Sequence, residues 1–288
     1  QGTLAITNSG AGAITGIISN GSSAAIITKA GAGTLTLSGD NTYTGATTVN
    51  AGVLAITHAD ALGGTGGATT IVSGAALNIS GGITTAAEAI TISGTGISST
   101  GVIRNTSGNN TYSGAITLGA TSTIVSTGGA QTISGAVNGG QALTITANGN
   151  LIISGAVGGG TNLSSYAVTT TNSSSQTFSA NVETTGNQTY TAAGGIVTSG
   201  ARTFDSSGGT VNFASALSGN NNLTVTGNAD IDGAITSIAV LSVSGTSNIG
   251  ADITTSGTQT YTGAVTLSAN TVLTTSSEAV TFSNTVRS

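Results

Sequence analysis

Apolar residues in this chain come in pairs separated by one polar or small residue: Leu4 and Ile6, Leu35 and Leu37, Leu54 and Ile56, Leu77 and Ile79, Ile90 and Ile92, Leu143 and Ile145, Leu223 and Val225, Leu241 and Val243. Alternation with period two puts each pair on one face of a short strand and the intervening Thr, Ser, Ala or Asn on the other. The pairs themselves recur, Leu35 to Leu54 spanning 19 residues (54 − 35 = 19) and Leu223 to Leu241 spanning 18 (241 − 223 = 18). A second motif, SGAI or SGAV, opens at Ser113, Ser134 and Ser154, with the variants DGAI at 232–235 and TGAV at 262–265. Short strands recurring at one drifting interval are the mark of a solenoid, whose coils keep a fixed cross-section while their turns vary in length. The pattern predicts an all-β chain, a parallel β-helix (β-solenoid) of about 18–21 residues per coil. About 14 coils stacked at strand spacing would extend on the order of 70 Å.

A β-sandwich also has short strands and many turns, but it is normally punctuated by hairpin loops, a larger aromatic core and edge prolines. Here Pro is absent and aromatic residues make up 3% of the chain. Charged residues make up 5%, too few for the polar faces of several amphipathic helices, which excludes a helical bundle. Abundant Thr, Val and Ile suit a pleated surface, and the 46 glycines suit corners. Low charge with a mean hydropathy of +0.29 argues against disorder. Composition does not shift along the 288 residues, so residues 1–288 read as a single β-solenoid domain.

Net charge is −5, and Lys29, Arg104, Arg202 and Arg287 are scattered, which excludes a phosphate-binding surface and hence a nucleic-acid partner. No run of 18 or more apolar residues offers a transmembrane helix. The absence of Cys excludes disulfides and thiolate metal sites.

Several residues were weighed as chemistry. Asp230 and Asp232 alternate onto one face and Asp252 follows one coil later, so three carboxylates offer the oxygen ligands of a Ca²⁺ site, set against a solvated acidic patch. The only histidine, His58, precedes Asp60 by two residues, and with a serine this pair would make a hydrolase; no GxSxG elbow accompanies it. Arg202 and Asp205 are the nearest approach to the charged cluster of a polysaccharide lyase or hydrolase on a β-helix. Tyr43, Tyr112, Tyr190 and Tyr261, in NTYTG, NTYSG, QTYTA and QTYTG, are either a carbohydrate-stacking ladder or an internal shelf; intervals such as 112 − 43 = 69 are too long for touching rungs and favour the shelf. No catalytic residues and no cofactor are assigned.

Residues 31–56, GAGTLTLSGDNTYTGATTVNAGVLAI, carry a resemblance. Gly33, Thr34, Leu35, Leu37, Gly39, Asn41, Thr42, Tyr43, Gly45, Thr47, Val49, Asn50, Gly52 and Leu54 are similar to the autotransporter-associated β-strand repeat, found in passengers of bacterial type V secretion. Residues 257–273 resemble the looser repeats of filamentous-haemagglutinin-like adhesins. The resemblance implies a right-handed parallel β-helix at the outer surface of a bacterium and carries over no catalytic residue.

The expected function is a non-enzymatic extracellular β-solenoid, a surface stalk or adhesin passenger, whose partners would be a host or neighbouring-cell surface or its glycans. The alternative is a subunit of a self-assembling fibre or sheath stacked end to end. Neither QGTLAITNSG nor EAVTFSNTVRS reads as a polar cap, so the chain is expected either to be a segment or processed part of a larger exported protein, or to meet itself at its ends.

Overall fold

The computed structural model of the protein describes residues 2–288. Nearly all regular structure is β; the exception among the described residues is a single 3-10 turn, Ile97–Ser99. Two compact units emerge, residues 1–149 and 150–288, each a stack of parallel coils. No helix among the described residues is long and apolar enough to cross a membrane.

In the first unit the predicted apolar pairs become interior ladders. Leu35 is in register with Leu54, Leu54 with Leu77, Leu77 with Ile103, Ile103 with Ile124 and Ile124 with Ile145. All six are 3% exposed or less. Burying such a side chain contributes about 1.5–3 kcal/mol, and stacking like on like keeps the interior free of voids. The outward residues form ladders of their own: Thr28, Thr48, Thr70, Thr91 and Thr117 are successive register partners. Parallel stacking also lets each coil satisfy the backbone of the next, as where Thr47, Thr69 and Ile116 donate to the carbonyls of Ala68, Ala89 and Ala136.

Coil length departs from the expected 18–21 residues in places. Ile103 follows its partner Leu77 by 26 residues (103 − 77 = 26). The extra length is spent at a corner holding the 3-10 turn, where Gly94, Gly96, Ser98, Ser99 and Gly101 all have positive φ. In the second unit the coil settles to 18 residues, the separation between Asn212 and Asp230 and between Asp230 and Asn248.

The SGAI and SGAV motifs acquire a steric meaning. A Cβ on Gly114 would lie 1.7 Å from the carbonyl oxygen of Glu88, and one on Gly135 would lie 1.8 Å from that of Gly114. Backbone rests directly on backbone at this corner, and only glycine leaves room.

The QTY and QTF triplets alternate as in, out, in. Gln259 is buried, Thr260 faces outward and Tyr261 is buried. The Gln259 amide donates to the Thr274 carbonyl at 2.9 Å and the Tyr261 hydroxyl donates to Gln259 Oε1 at 3.1 Å. Gln188 and Tyr190 repeat this arrangement, with Gln188 donating to the Asp205 carbonyl at 2.6 Å and accepting from the Tyr190 hydroxyl at 2.8 Å. An interior amide thus satisfies carbonyls that a corner leaves unpaired, and itself pairs with the phenol beside it.

Candidate functional site

The tyrosines belong to the interior. Tyr43, Tyr112, Tyr166, Tyr190 and Tyr261 are 1% exposed or less, so no stacking ladder of these rings faces a sugar. Burial holds each phenol well above its ordinary pKa. In the second unit Tyr190 stacks on Phe213 at 5.6 Å and meets Phe178, Phe204 and Tyr166 edge-on at 5.2, 5.1 and 6.0 Å. These aromatics come from different coils, so the aromatic spacing seen in sequence becomes one packed cluster.

Asp230 projects outward from the strand Leu223–Ile231, between its register partners Asn212 and Asn248. Its carboxylate accepts from Asn212 Nδ2 at 2.7 Å and from Asn248 Nδ2 at 2.8 Å, and Asp232 takes a second bond from Asn212 at 3.1 Å. Asp252 accepts at 2.8 Å from the backbone N–H of Val272 in the next coil. Two open hollows of about 260 and 520 Å³ flank this ladder, and Asp230 lines both. The amide–carboxylate ladder binds coil to coil, while its upper and lower rims remain open to hydroxyl-bearing or cationic ligands.

Arg202 and Asp205 do not pair. The guanidinium donates to the carbonyls of Ala201 at 2.7 Å and Phe178 at 3.3 Å and also to Ser199, closing a corner of its own coil stack. His58 Nδ1 lies 3.9 Å from Asp60 Oδ2 and accepts from the Asp60 backbone N–H at 3.2 Å. No serine hydroxyl among the described residues hydrogen-bonds to His58, so the arrangement of a nucleophile with its base is not assembled.

Two buried charges were invisible in the sequence. Lys29 is fully buried and its ammonium donates to the carbonyls of Ala30, Gly31 and Ala51 at 2.8, 2.8 and 3.1 Å. Desolvation lowers its pKa. Glu88 is 1% exposed; one carboxyl oxygen accepts from Thr69 Oγ1 at 2.6 Å and the other has no partner. Burial pushes its pKa up to about 7, the Thr69 hydrogen bond pulling weakly the other way. Neither residue sits in a motif; only their inward register positions mark them.

Comparison with known proteins yields one match. Residues 27–56 match the family model of the Passenger-associated-transport-repeat. That segment contains the strands Thr34–Leu37, Thr47–Val49 and Gly52–Ile56, and the resemblance read from residues 31–56 is borne out there. Repeats of this kind are in general non-catalytic and go with secreted or surface proteins. No curated protein and no solved structure matches the chain.

Proposed function

We propose that the protein is a non-enzymatic, extracellular β-solenoid of autotransporter-passenger type, with a structural and adhesive role at a bacterial surface. The observation that carries this reading is the outward ladder Thr28, Thr48, Thr70, Thr91 and Thr117 in the unit that contains the matched repeat. Two residues before each of the last four, Ala46, Ala68, Ala89 and Ala115 are exposed on the same side, so hydroxyls alternate with methyls over a face without charge. Such a face favours neutral, hydroxyl-rich surfaces such as glycans and offers little electrostatic selectivity.

Beads coated with the chain test this. Retention on cells or neutral glycans is expected, and it should fall when Thr48, Thr70 and Thr91 are replaced together by Lys, with far-UV circular dichroism unchanged. Equal retention by the variant refutes the adhesive face, and product release from any of a panel of acidic polysaccharides refutes the non-enzymatic reading. End-to-end self-assembly is a second reading, favoured by the exposed Leu4, Phe282 and Val286, at 39, 37 and 44% exposure in the first and last described coils. Electron microscopy showing only short monodisperse particles at high concentration would retire it.

A further inference from the structure

His58 and Asp60 acquire a third neighbour that sequence proximity did not suggest. Both lie in the corner after the strand Gly52–Ile56, and Asp40 lies in the corresponding corner after Thr34–Leu37. Because Leu37 is the register partner of Ile56, parallel stacking brings the two corners together. One ligand atom each from Asp40, His58 and Asp60 lies within 4.8 Å of the others.

The corners are fixed from beneath. Asn41, 3% exposed, donates its backbone N–H to the Asp60 carbonyl at 3.2 Å and its amide to the Ala61 carbonyl at 2.7 Å, and accepts from the Ile18 N–H at 2.8 Å. The Asp60 carbonyl also accepts from Gly63 N–H at 2.9 Å. Three ligating side chains therefore hang from backbone that is already ordered, so little entropy remains to be lost on binding an ion.

The charge at this corner has no counterpart in the protein. The only ion pair among the described residues is His58 with Asp60 themselves. Lys29 is committed to three carbonyls, Arg104 donates to Thr100 Oγ1 and Arg202 to its own corner. Two carboxylates that no Lys or Arg neutralises, beside an imidazole whose Nδ1 lone pair is turned toward Asp60, form a donor set for a cation.

We propose that Asp40, His58 and Asp60 bind a divalent cation of the Zn²⁺ class at the surface of the first unit, stapling one coil to the next. The nitrogen ligand and the small number of donors favour such an ion over Ca²⁺, which takes six to eight oxygens. Bond lengths of about 2.0–2.2 Å require the donors to close to roughly 3.5 Å of one another, which rotation of half-exposed side chains supplies. In the complex Nδ1 exchanges its long contact with the Asp60 N–H for the metal. Three protein ligands leave a fourth position for water or for a donor from a binding partner. Because unfolding separates Asp40 from the other two, the ion binds the folded coils and stabilises them.

Isothermal titration of the full chain with ZnCl₂ tests the proposal, with His58→Gln, Asp40→Asn and, as a control elsewhere, Asp230→Asn. One saturable site per chain is expected, weakened about tenfold or more in each of the first two variants and unchanged in the third. Zn²⁺ should raise the thermal midpoint of the wild type and leave that of His58→Gln unmoved, with far-UV spectra showing that all three variants are folded. No binding up to about 1 mM Zn²⁺ overturns the proposal, as does undiminished affinity in both site variants. Ca²⁺ binding as tightly as Zn²⁺, with no effect of His58→Gln, overturns the role given to the imidazole.

Discussion

Replacing Glu88 by Gln should remove a pH dependence from the stability of the protein. The carboxyl is 1% exposed and its pKa is pushed from 4.5 up to about 7, with one oxygen bonded to Thr69 and the other unpaired. Tyr43 and Tyr112 lie near enough for the ionised carboxylate to raise their pKa values further, so no neighbour there welcomes a negative charge. Because the folded-state pKa is the higher one, the folded protein holds this proton over a range in which the unfolded chain has released it. The contribution is therefore fully present below about pH 4.5, is lost as pH rises toward 7, and stays lost above it. At 1.36 kcal/mol per unit the loss amounts to about 3 kcal/mol. The amide keeps the shape of the carboxyl and cannot ionise. Denaturant unfolding between pH 4.5 and 8 should show the Gln variant within about 1 kcal/mol of wild type at the acid end and about 3 kcal/mol more stable at the alkaline end. Parallel profiles for the two proteins would refute the assignment, since every other titrating group is common to both.

Two further substitutions test the packing. Gly135→Ala places a methyl where 1.8 Å separates its Cβ from the Gly114 carbonyl oxygen, and should cost about 3 kcal/mol in denaturant unfolding; a loss under about 1 kcal/mol would mean that the corner yields easily. Tyr190→Ala removes the ring shared by Phe178, Phe204, Phe213 and Tyr166 and should cost about 3–5 kcal/mol, whereas the exposed Thr189→Ala should change stability by no more than about 0.5 kcal/mol; similar effects from the two would contradict the interior placement of the ring.

Much of the fold is legible because the signal is local and repeated. Leu35 with Leu37 and Leu54 with Ile56 announce strand, facing and repeat length within 22 residues (56 − 35 + 1 = 22), and those four side chains are the ladder found inside the coils. The 26-residue coil was not legible: an alternating pair survives any insertion at a corner, so the spacing of pairs underestimates the longest coils. The QTY triplets were visible as motifs, but whether Gln or Thr faces inward depends on which carbonyls the next coil leaves unpaired.

The candidate chemistry divides along the same line. Arg202 and Asp205 are near in sequence and do not pair, because the guanidinium is taken by carbonyls at its own corner. Asp40 and His58 are far apart in sequence and meet, because the register of Leu37 on Ile56 brings their corners together. By itself the sequence determined the all-β class, the parallel repeat and the neutral hydroxyl exterior, since period-two alternation and composition act residue by residue. Coil length at each corner, the burial of Lys29 and Glu88, and the meeting of Asp40 with His58 were decided only by the tertiary structure. Each depends on which residue of one coil lies against which residue of the next, and turns of variable length set that register without leaving a local trace in the chain.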